Sequence, residues 1–232
     1  MPSRVFLARP HSGSVVPQSE RSATHAMDEK YGMLTIGSSP ACSLLALAFN
    51  SCVAACRNGK YDYFALLHSD VAADADWIGT LIDDINSVGA DIIHAPCAMK
   101  DSRGLTSTVL SANTTWRTLR NMSLEELRDM PRVFTSEDTD GEILLPNTGC
   151  LLMRCNTWFM EEWRGFWMND WIEKVDGIWK GKVISEDYML GMDAYNAGQI
   201  VACSRNVETL HFDGNTSYPV KTRTSKEELC PT

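Results

Sequence analysis

The sequence predicts a single α/β domain in which a mostly parallel β-sheet is flanked by helices. Short apolar runs typical of buried strands alternate with longer segments whose apolar residues recur at helical spacing, and this alternation is the signature of a parallel sheet. Composition agrees, because a chain of 232 residues with 44% hydrophobic and 22% charged residues is ordinary for a protein with a proper core. The net charge of -9 argues against a general attraction to nucleic acid or anionic lipid.

The first half, about residues 1–97, carries the alternation most clearly. The predicted elements are strands at 5–8, 33–37, 63–67 and 91–96, and helices at 41–56, 75–88 and in the later part of 17–30. The central strand ends in His68-Ser69-Asp70. Ligands of open α/β sheets bind beyond the carboxyl ends of the strands, so these side chains are candidates for a binding site.

The second half, about residues 98–216, breaks this rhythm with a polar insertion at 99–142. Within the insertion, Ser123 and Glu126 predict a capping box at the start of one helix, and long irregular insertions are often binding loops. It also holds the basic residues Lys100, Arg103, Arg117, Arg120, Arg128 and Arg132. Together with the tryptophan-rich stretch that follows it, the insertion is where we expect contacts with an acceptor.

Beyond the insertion, sheet-like sequence returns at 143–154 and is followed by a tryptophan-rich stretch. Trp163, Trp167 and Trp171 are four residues apart and would share one helical face, either for core packing or as an aromatic platform for a sugar or base. Ser185, Glu186 and Asp187 then open a helix that Gly198 ends, a last strand follows at 200–203, and an apolar run carries His211. Residues 217–232 are expected to form a polar tail.

Cysteine usage and hydropathy indicate a reducing compartment. None of the eight cysteines forms a CxxC pair and several lie in apolar runs, which favours reduced, buried thiols. The first apolar stretch is too short for a secretory signal, and no segment reaches the roughly 18 apolar residues of a membrane span. We therefore expect a cytoplasmic protein without a membrane span.

In their order, these pieces resemble the GT-A fold glycosyltransferases, particularly the large family of small inverting enzymes that use nucleotide-diphospho sugars. In that family a strand ends in Asp-x-Asp. It is followed by a Gly-centred strand, then by a helix that begins with Glu-Asp, and then by a strand that leads to a His. The matching pieces are His68-Ser69-Asp70, Asn147-Thr148-Gly149, Glu186-Asp187 and His211, with Phe49-Asn50 where the family has Arg-Asn. Two positions depart from the family pattern, because His68 replaces the first Asp and Phe49 replaces the Arg.

The resemblance implies a GT-A type three-layer sandwich and a metal-dependent, inverting transfer of a sugar to an acceptor hydroxyl. Asp187 would be the general base and Glu186 would orient the acceptor or the helix turn. Mn²⁺ or Mg²⁺ would be bound by Asp70 and His211, and His68 could also ligate a transition metal.

The donor implied is a nucleotide-diphospho sugar, and a uridine diphosphate sugar is favoured only because it is common in the resembling family. The predicted donor-binding residues are Arg9, Pro10, His11, Gly37, Asn50, His68, Ser69 and Asp70. The predicted acceptor-binding residues are Asn147, Thr148, Gly149, Trp163 and Trp167. The acceptor stays open between a small molecule, a polysaccharide precursor, a protein and a hydroxymethylated base in phage DNA.

Other functions remain open at this point. A nucleotidyltransferase that makes sugar nucleotides would carry a Gly-rich, basic loop after the first strand, but this chain has a single Gly13 and no nearby lysine there. A non-catalytic binding protein is favoured if His68 marks a degenerate site. A retaining transferase on the same fold is also compatible with the sequence.

Overall fold

A seven-stranded β-sheet forms the centre of the computed structural model, which describes residues 2–11, 13–39 and 44–221. The strands in chain order are β1 (Ser3–Arg9), β2 (Gly32–Ser38), β3 (Tyr63–Leu67), β4 (Val71–Ala73), β5 (Ile92–His94), β6 (Leu105–Ser111), β7 (Leu119–Ser123), β8 (Val133–Thr135), β9 (Ile143–Leu145), β10 (Cys150–Arg154), β11 (Asn169–Val175), β12 (Ile178–Ile184), β13 (Val201–Ser204), β14 (Thr209–Asp213) and β15 (Thr216–Val220). The helices are α1 (Pro17–Thr24), α2 (Leu45–Arg57), α3 (Trp77–Ser87), α4 (Leu124–Asp129) and α5 (Glu186–Asn196).

The central sheet has the strand order β2-β1-β3-β10-β5-β13-β8. Strand β1 runs parallel to β2 and β3, and β13 runs parallel to β5. Strand β10 is antiparallel to both of its neighbours, β3 and β5, and β8 is antiparallel to β13. Five of the seven strands therefore point the same way, which confirms the mostly parallel sheet.

Helices cover both faces of this sheet. Phe64 and Leu66 of β3 belong to one apolar cluster with residues of α2 and α5, whereas Ala65 and Leu67 belong to a second cluster with residues of α3. All five residues of β3 are buried, as expected of a central strand covered by helices on both faces of the sheet. The predicted three-layer α/β sandwich in one domain is confirmed.

The segment between β1 and β2 differs from the prediction. Its helix, α1, occupies the early part of 17–30 because Pro17 lies in the first turn, where its fixed φ favours a helix start. The later part forms only a short 3-10 turn at Glu29–Tyr31. Of the helix predicted at 41–56, residues 41–43 lie outside the described residues.

The predicted helical face of Trp163, Trp167 and Trp171 is wrong. A π-helical turn at Trp158–Glu162 stops before these residues, and Gly165 then adopts a φ of 93° that a continuing helix does not allow. Residues 169–184 form a β-hairpin, β11–β12, around Asp176-Gly177, both with positive φ. An Asp-Gly pair between alternating residues is a strong hairpin signal, and it was available in the sequence.

The insertion at 99–142 is more regular than predicted. Strands β6 and β7 pair with β9 in the order β7-β6-β9, which we call the insertion sheet. The predicted capping box at the start of α4 is confirmed, because Ser123 and Glu126 make both reciprocal hydrogen bonds.

A third small sheet has the order β15-β14-β4. Because β14 pairs with β4, His211 lies opposite Val71, the residue after Asp70. The tail predicted from residue 217 begins inside β15, and residues 222–232 lie outside the described residues.

The six cysteines in the described part of the chain are free thiols, as predicted, whereas Cys42 and Cys230 lie outside it. In the same part of the chain, the helices are too short or too polar to cross a membrane.

Candidate active site

Three charged or titratable side chains meet where β3 ends. Lys100 Nζ lies 2.5 Å from Oδ2 of Asp70, and Nε2 of His211 lies 3.6 Å from the same oxygen. We call these three residues the Asp70 cluster. The structure thus brings together Asp70 and His211, which the sequence placed 141 positions apart in the chain.

Main-chain hydrogen bonds fix the geometry of the Asp70 cluster. The backbone N–H of Phe212 donates to the carbonyl of Asp70 at 2.8 Å, which holds β14 against the end of β3. Nδ1 of His211 donates to the carbonyl of Ala98 at 2.8 Å, because a carbonyl only accepts. Nε2 of His211 is therefore the ring nitrogen that faces Asp70.

The charge of Asp70 is stabilised by this arrangement. Burial by itself raises the pKa of Asp70, but His211 and Lys100 outweigh it and hold the pKa well below its usual range. The carboxylate is therefore ionised at neutral pH and forms an ion pair with Lys100.

His68 contacts Thr148 and Phe49, and its role as a metal ligand stays a prediction. Its Nε2 lies 3.1 Å from the hydroxyl of Thr148, and its ring packs 5.3 Å from that of Phe49. Burial lowers the pKa of His68 to about 4, so the imidazole is neutral under ordinary conditions. Phe49 and His68, the two positions that depart from the pattern of the resembling family, thus contact each other.

The residues present fit a resident metal ion poorly. Only Asp70 and His211 of the predicted ligands converge, and Lys100 already occupies the Asp70 oxygen that faces His211. Within residues 2–11, 13–39 and 44–221, no group of three His, Cys, Asp or Glu side chains is placed to hold a metal ion. The dependence on Mn²⁺ or Mg²⁺ stays a prediction.

A cleft of about 350 Å³ lies beside the Asp70 cluster, at the carboxyl ends of β1, β2 and β3. We call it the strand-end cleft. Four predicted donor-binding residues line it, namely Arg9, Pro10, His11 and Ser69. Ser69 directly precedes Asp70, so the cleft and the Asp70 cluster adjoin along the chain.

The turn at His68 and Ser69 is anchored to α1 and the residue before it. The carbonyl of His68 accepts a hydrogen bond from Ser19 Oγ, and the carbonyl of Ser69 accepts one from Val16 N–H.

Arg9 is a buried cation in the wall of this cleft. Its Nη2 donates to Ser19 Oγ at 3.0 Å and to Glu20 at 3.3 Å. Burial lowers the pKa of Arg9, although Glu20 opposes the change. Its Nε has no hydrogen-bond partner among the described residues. A buried guanidinium with an unused donor is suited to a ligand that carries acceptor oxygens.

Two predicted donor-binding residues have structural roles. A side chain at Gly37 would collide with the ring of Phe6 at 2.3 Å, and its neighbours Ile36 and Ser38 line the cleft. The amide of Asn50 donates to the carbonyl of Phe166 and accepts from its N–H, both at 2.7 Å. Because both ends of this amide bond to one residue, Asn50 fixes the loop at Phe166.

The predicted acceptor residues on the Gly-centred loop are also internal. Asn147 donates to Nδ1 of His94 at 2.7 Å and to the carbonyl of Ala95 at 3.0 Å, and it accepts from Gly149 N–H at 3.1 Å. A side chain at Gly149 would meet Cys97 Sγ at 2.8 Å. Asn147 therefore ties this loop to the end of β5, and Thr148 is the residue whose side chain reaches His68.

Of the two predicted acceptor tryptophans, Trp163 is buried and Trp167 is half-buried. Trp163 is buried against Trp158 and Phe166. The indole N–H of Trp167 donates to Asp193 at 2.9 Å, and Arg164 lies 4.3 Å over its ring. Core packing is therefore the role of Trp163, and Trp167 is bound to α5.

The two predicted catalytic carboxylates open α5. Asp187 accepts hydrogen bonds from the Ser185 hydroxyl and from Tyr188 N–H, so Ser185 contacts the acid and does not cap the helix backbone. Burial raises the pKa of Asp187 and that of Glu186, which is 6% exposed. A carboxylate whose pKa is raised towards the working pH is a better general base. That Asp187 shares one cleft with Asp70 and His211 stays a prediction.

A second cleft of about 850 Å³ lies next to α5, between the β11–β12 hairpin and residues 115–117. We call it the hairpin cleft. Its lining includes Trp116, Arg117, Trp171, Lys182 and Met189. It combines aromatic faces with the charged groups of Arg117, Lys182 and Glu173, and Met189 in its lining is two residues from Asp187. The sequence predicts acceptor contacts in the insertion and the tryptophan-rich stretch, but not the hairpin that joins them in one cleft.

The contact between Lys100 and Asp70 is a second feature of the site that the sequence does not predict. Lys100 is grouped with the basic residues of the insertion as a possible acceptor contact. Nothing in the local sequence points to Asp70, because the pairing depends on where the insertion leaves the central sheet.

No protein-family model matches this chain, and no curated protein matches it in sequence. Among solved structures, A197 from STIV matches 95% of this chain and 92% of its own, with a TM-score of 0.57 and 13% identity. Residues 1–349 of TarS from S. aureus, in complex with UDP-GlcNAc, match 93% of this chain and 57% of their own, with a TM-score of 0.39 and 8% identity. HddC from Yersinia pseudotuberculosis, complexed with GMP-PN, has a TM-score of 0.29, 9% identity and coverage of 83% and 99%. This chain and A197 share a fold over almost their whole lengths.

Proposed function

We propose that this protein is a glycosyltransferase that moves a sugar from a nucleotide-diphospho-sugar donor to an acceptor hydroxyl. The observation that carries the proposal is that Ser69 lines the strand-end cleft and directly precedes Asp70 of the Asp70 cluster. One ligand with a nucleoside at one end and a diphosphate at the other would span both, and this edge of a parallel sheet is where such ligands bind.

The nucleoside would occupy the strand-end cleft. Arg9 and Ser69 offer donors for its oxygen atoms, while His11 and Pro10 border the ring. A uridine nucleotide is our first choice of donor. The diphosphate would lie beyond Ser69, next to the ammonium of Lys100.

The proposed chemistry is a single displacement. Asp187 removes the proton from the acceptor hydroxyl, the hydroxyl oxygen forms a bond to the anomeric carbon, and the bond from that carbon to the diphosphate breaks. The bonding electron pair leaves with the nucleoside diphosphate, and the configuration at the anomeric carbon inverts. Burial of Asp187 supports its assignment as the base, because it raises the pKa of this group.

We place the acceptor in the hairpin cleft. The cleft adjoins α5 through Met189, two residues beyond Asp187. Trp171 is 39% exposed and could stack on a sugar ring or a base, while Arg117 and the Lys182–Glu173 ion pair offer polar contacts to an acceptor. A polysaccharide precursor, a small molecule, a protein and a modified DNA base remain the acceptor classes to test.

Thermal shift with a panel of nucleoside diphosphates and their sugars tests the donor site, because a ligand that binds only the folded state raises the melting temperature. Each nucleotide is measured with Mn²⁺ and with EDTA, and donor hydrolysis is followed in parallel. We expect one nucleotide to stabilise the protein and Asp70→Ala to abolish the shift. Glu125→Ala removes an exposed carboxylate from α4 and is the matched control.

The outcomes separate the proposal from its alternatives. Donor binding with slow hydrolysis supports a transferase. Donor binding with no turnover identifies a non-catalytic nucleotide-sugar-binding protein. The absence of a shift with every nucleotide rejects the donor site.

A further inference from the structure

Lys100 is held in place by the backbone around it. Ala98 forms a β-bridge with Thr106, and the N–H of Met99 donates to the carbonyl of Leu105 at 2.8 Å. These contacts fix the segment 98–100 at the base of the insertion sheet. The side chain of Lys100 is 33% exposed and reaches Asp70, which is 35% exposed.

The same segment also positions His211. The carbonyl of Ala98 accepts from Nδ1 of His211, and two residues later Lys100 contacts the carboxylate that Nε2 of His211 faces. Segment 98–100 therefore controls both basic groups beside Asp70. The ion pair itself is partly exposed, and such pairs contribute little to folding stability.

We propose that Lys100, instead of a resident divalent metal ion, supplies the positive charge that stabilises the leaving diphosphate. This inference rests on the proposed function. An ammonium carries three N–H donors, so Lys100 can keep one hydrogen bond to Asp70 and direct the others at phosphate oxygens. Asp70 orients the ammonium through their 2.5 Å contact.

Lys100 and a divalent metal ion would compete for the same oxygen of Asp70, and this distinguishes the arrangement from a metal site. Lys100 and His211 both face Oδ2 of Asp70, so a divalent cation at that oxygen would have to displace an ammonium of like charge. In the transfer step, the electron pair of the broken bond goes to the diphosphate oxygen, and the acceptor proton goes to Asp187. Lys100 stabilises the new negative charge by donating hydrogen bonds, without changing its own protonation.

The test measures kcat and KM for hydrolysis of the donor selected by thermal shift, in EDTA and across a Mn²⁺ titration. The proteins are the wild type, Lys100→Met, Lys100→Arg and the control Arg103→Met, whose guanidinium pairs with Asp101 on the protein surface. We expect equal wild-type activity in EDTA and Mn²⁺. We expect Lys100→Met to lose about 100-fold in kcat, the scale for removing one donor to a developing oxyanion, with its melting temperature retained.

Two further readouts separate charge supply from structure. Lys100→Arg should retain part of the activity, and Lys100→Met should become dependent on Mn²⁺, because the oxygen of Asp70 is then open to a cation. Wild-type activity that disappears in EDTA and returns with Mn²⁺, together with an unaffected Lys100→Met variant, would overturn the inference.

Failure of the proposed function would look different. If no nucleotide sugar is hydrolysed by any of the proteins, titration with inorganic pyrophosphate in EDTA still decides the role of Lys100. Weaker pyrophosphate binding by Lys100→Met than by Arg103→Met supports Lys100 as the diphosphate-binding group. Equal binding by the two variants rejects it.

Discussion

Replacement of Asn147 by alanine tests whether this residue supports the site or binds a ligand. Its amide makes three hydrogen bonds, to His94, Ala95 and Gly149, and the residue is 1% exposed. A buried polar group that loses its partner costs about 1–3 kcal/mol, and a water that enters the space recovers part of that cost. Three partners lose a hydrogen bond, which would cost about 3–9 kcal/mol if no water entered. With water recovering part of this cost, we expect Asn147→Ala to lower the free energy of unfolding by about 3–6 kcal/mol, a large part of the total stability of a typical domain.

Urea unfolding followed by tryptophan fluorescence and far-UV circular dichroism measures this change. Asn113→Ala is the control, because Asn113 is exposed and bonds only nearby residues of its own loop, so its loss should cost below about 1 kcal/mol. A loss of about 1 kcal/mol or less for Asn147→Ala, combined with a large rise in KM for an acceptor, would refute the structural role. Asn147 would then be the acceptor ligand that the sequence predicts.

Three further predictions concern catalysis, acidity and the acceptor. Asp187→Asn should keep the donor-induced thermal shift and lower the rate of donor hydrolysis by about 100-fold or more, because the amide cannot accept the acceptor proton; equal loss of binding would contradict a base role. Burial lowers the pKa of His68 to about 4 and that of His94 to about 3, so below pH 6.5 the unfolded chain binds more protons than the folded one. The free energy of unfolding should therefore fall between pH 6 and pH 5 by up to about 1.4 kcal/mol for each histidine, and urea titrations of His94→Leu should show a shallower fall. Trp171→Ala should raise the acceptor KM without changing donor hydrolysis, whereas Trp179→Ala, which removes a 67% exposed indole from the other face of the hairpin, should change neither. An unchanged acceptor KM in Trp171→Ala would remove the hairpin cleft from the proposal.

The central sheet could be predicted from the sequence because local patterns determine its elements. The buried run of β3 and the helical spacing of α3 are visible in any short window, and the Ser123–Glu126 capping box is a local exchange of hydrogen bonds. The order of these elements was enough to indicate the fold class.

The tryptophan-rich stretch shows where local patterns compete. A spacing of four residues favours a helix, but Gly165 and the Asp176-Gly177 turn favour a chain reversal. The turn determines the structure here because positive φ at both positions fits a two-residue hairpin and disrupts a helix. The turn residues, given more weight than the tryptophan spacing, predict the hairpin that forms one wall of the hairpin cleft.

Polar residues of the site were harder to assign because their roles depend on distant partners. Asn50 and Asn147 occupy positions where the resembling family suggests ligand contacts, and in the structure Asn50 bonds to the backbone of Phe166 and Asn147 bonds to the His94 ring and the carbonyl of Ala95. A buried amide must satisfy several donors and acceptors at once, and the sequence does not show which groups will surround it.

The two positions that depart from the pattern of the resembling family, His68 and Phe49, bear on the charge balance around Asp70. His68 and Phe49, the two departures from the family pattern, contact each other, and the neutral imidazole of His68 turns to Thr148 instead of to a cation. The negative charge that an aspartate would add at position 68 is absent, so the site carries one carboxylate where the family carries two. One carboxylate is matched in charge by one ammonium, and Lys100 provides it at 2.5 Å. Adding a second carboxylate with His68→Asp should therefore increase the affinity of the site for Mn²⁺. A titration that shows no such increase would mean that His68 and Phe49 do not determine whether Lys100 or a metal ion binds at Asp70.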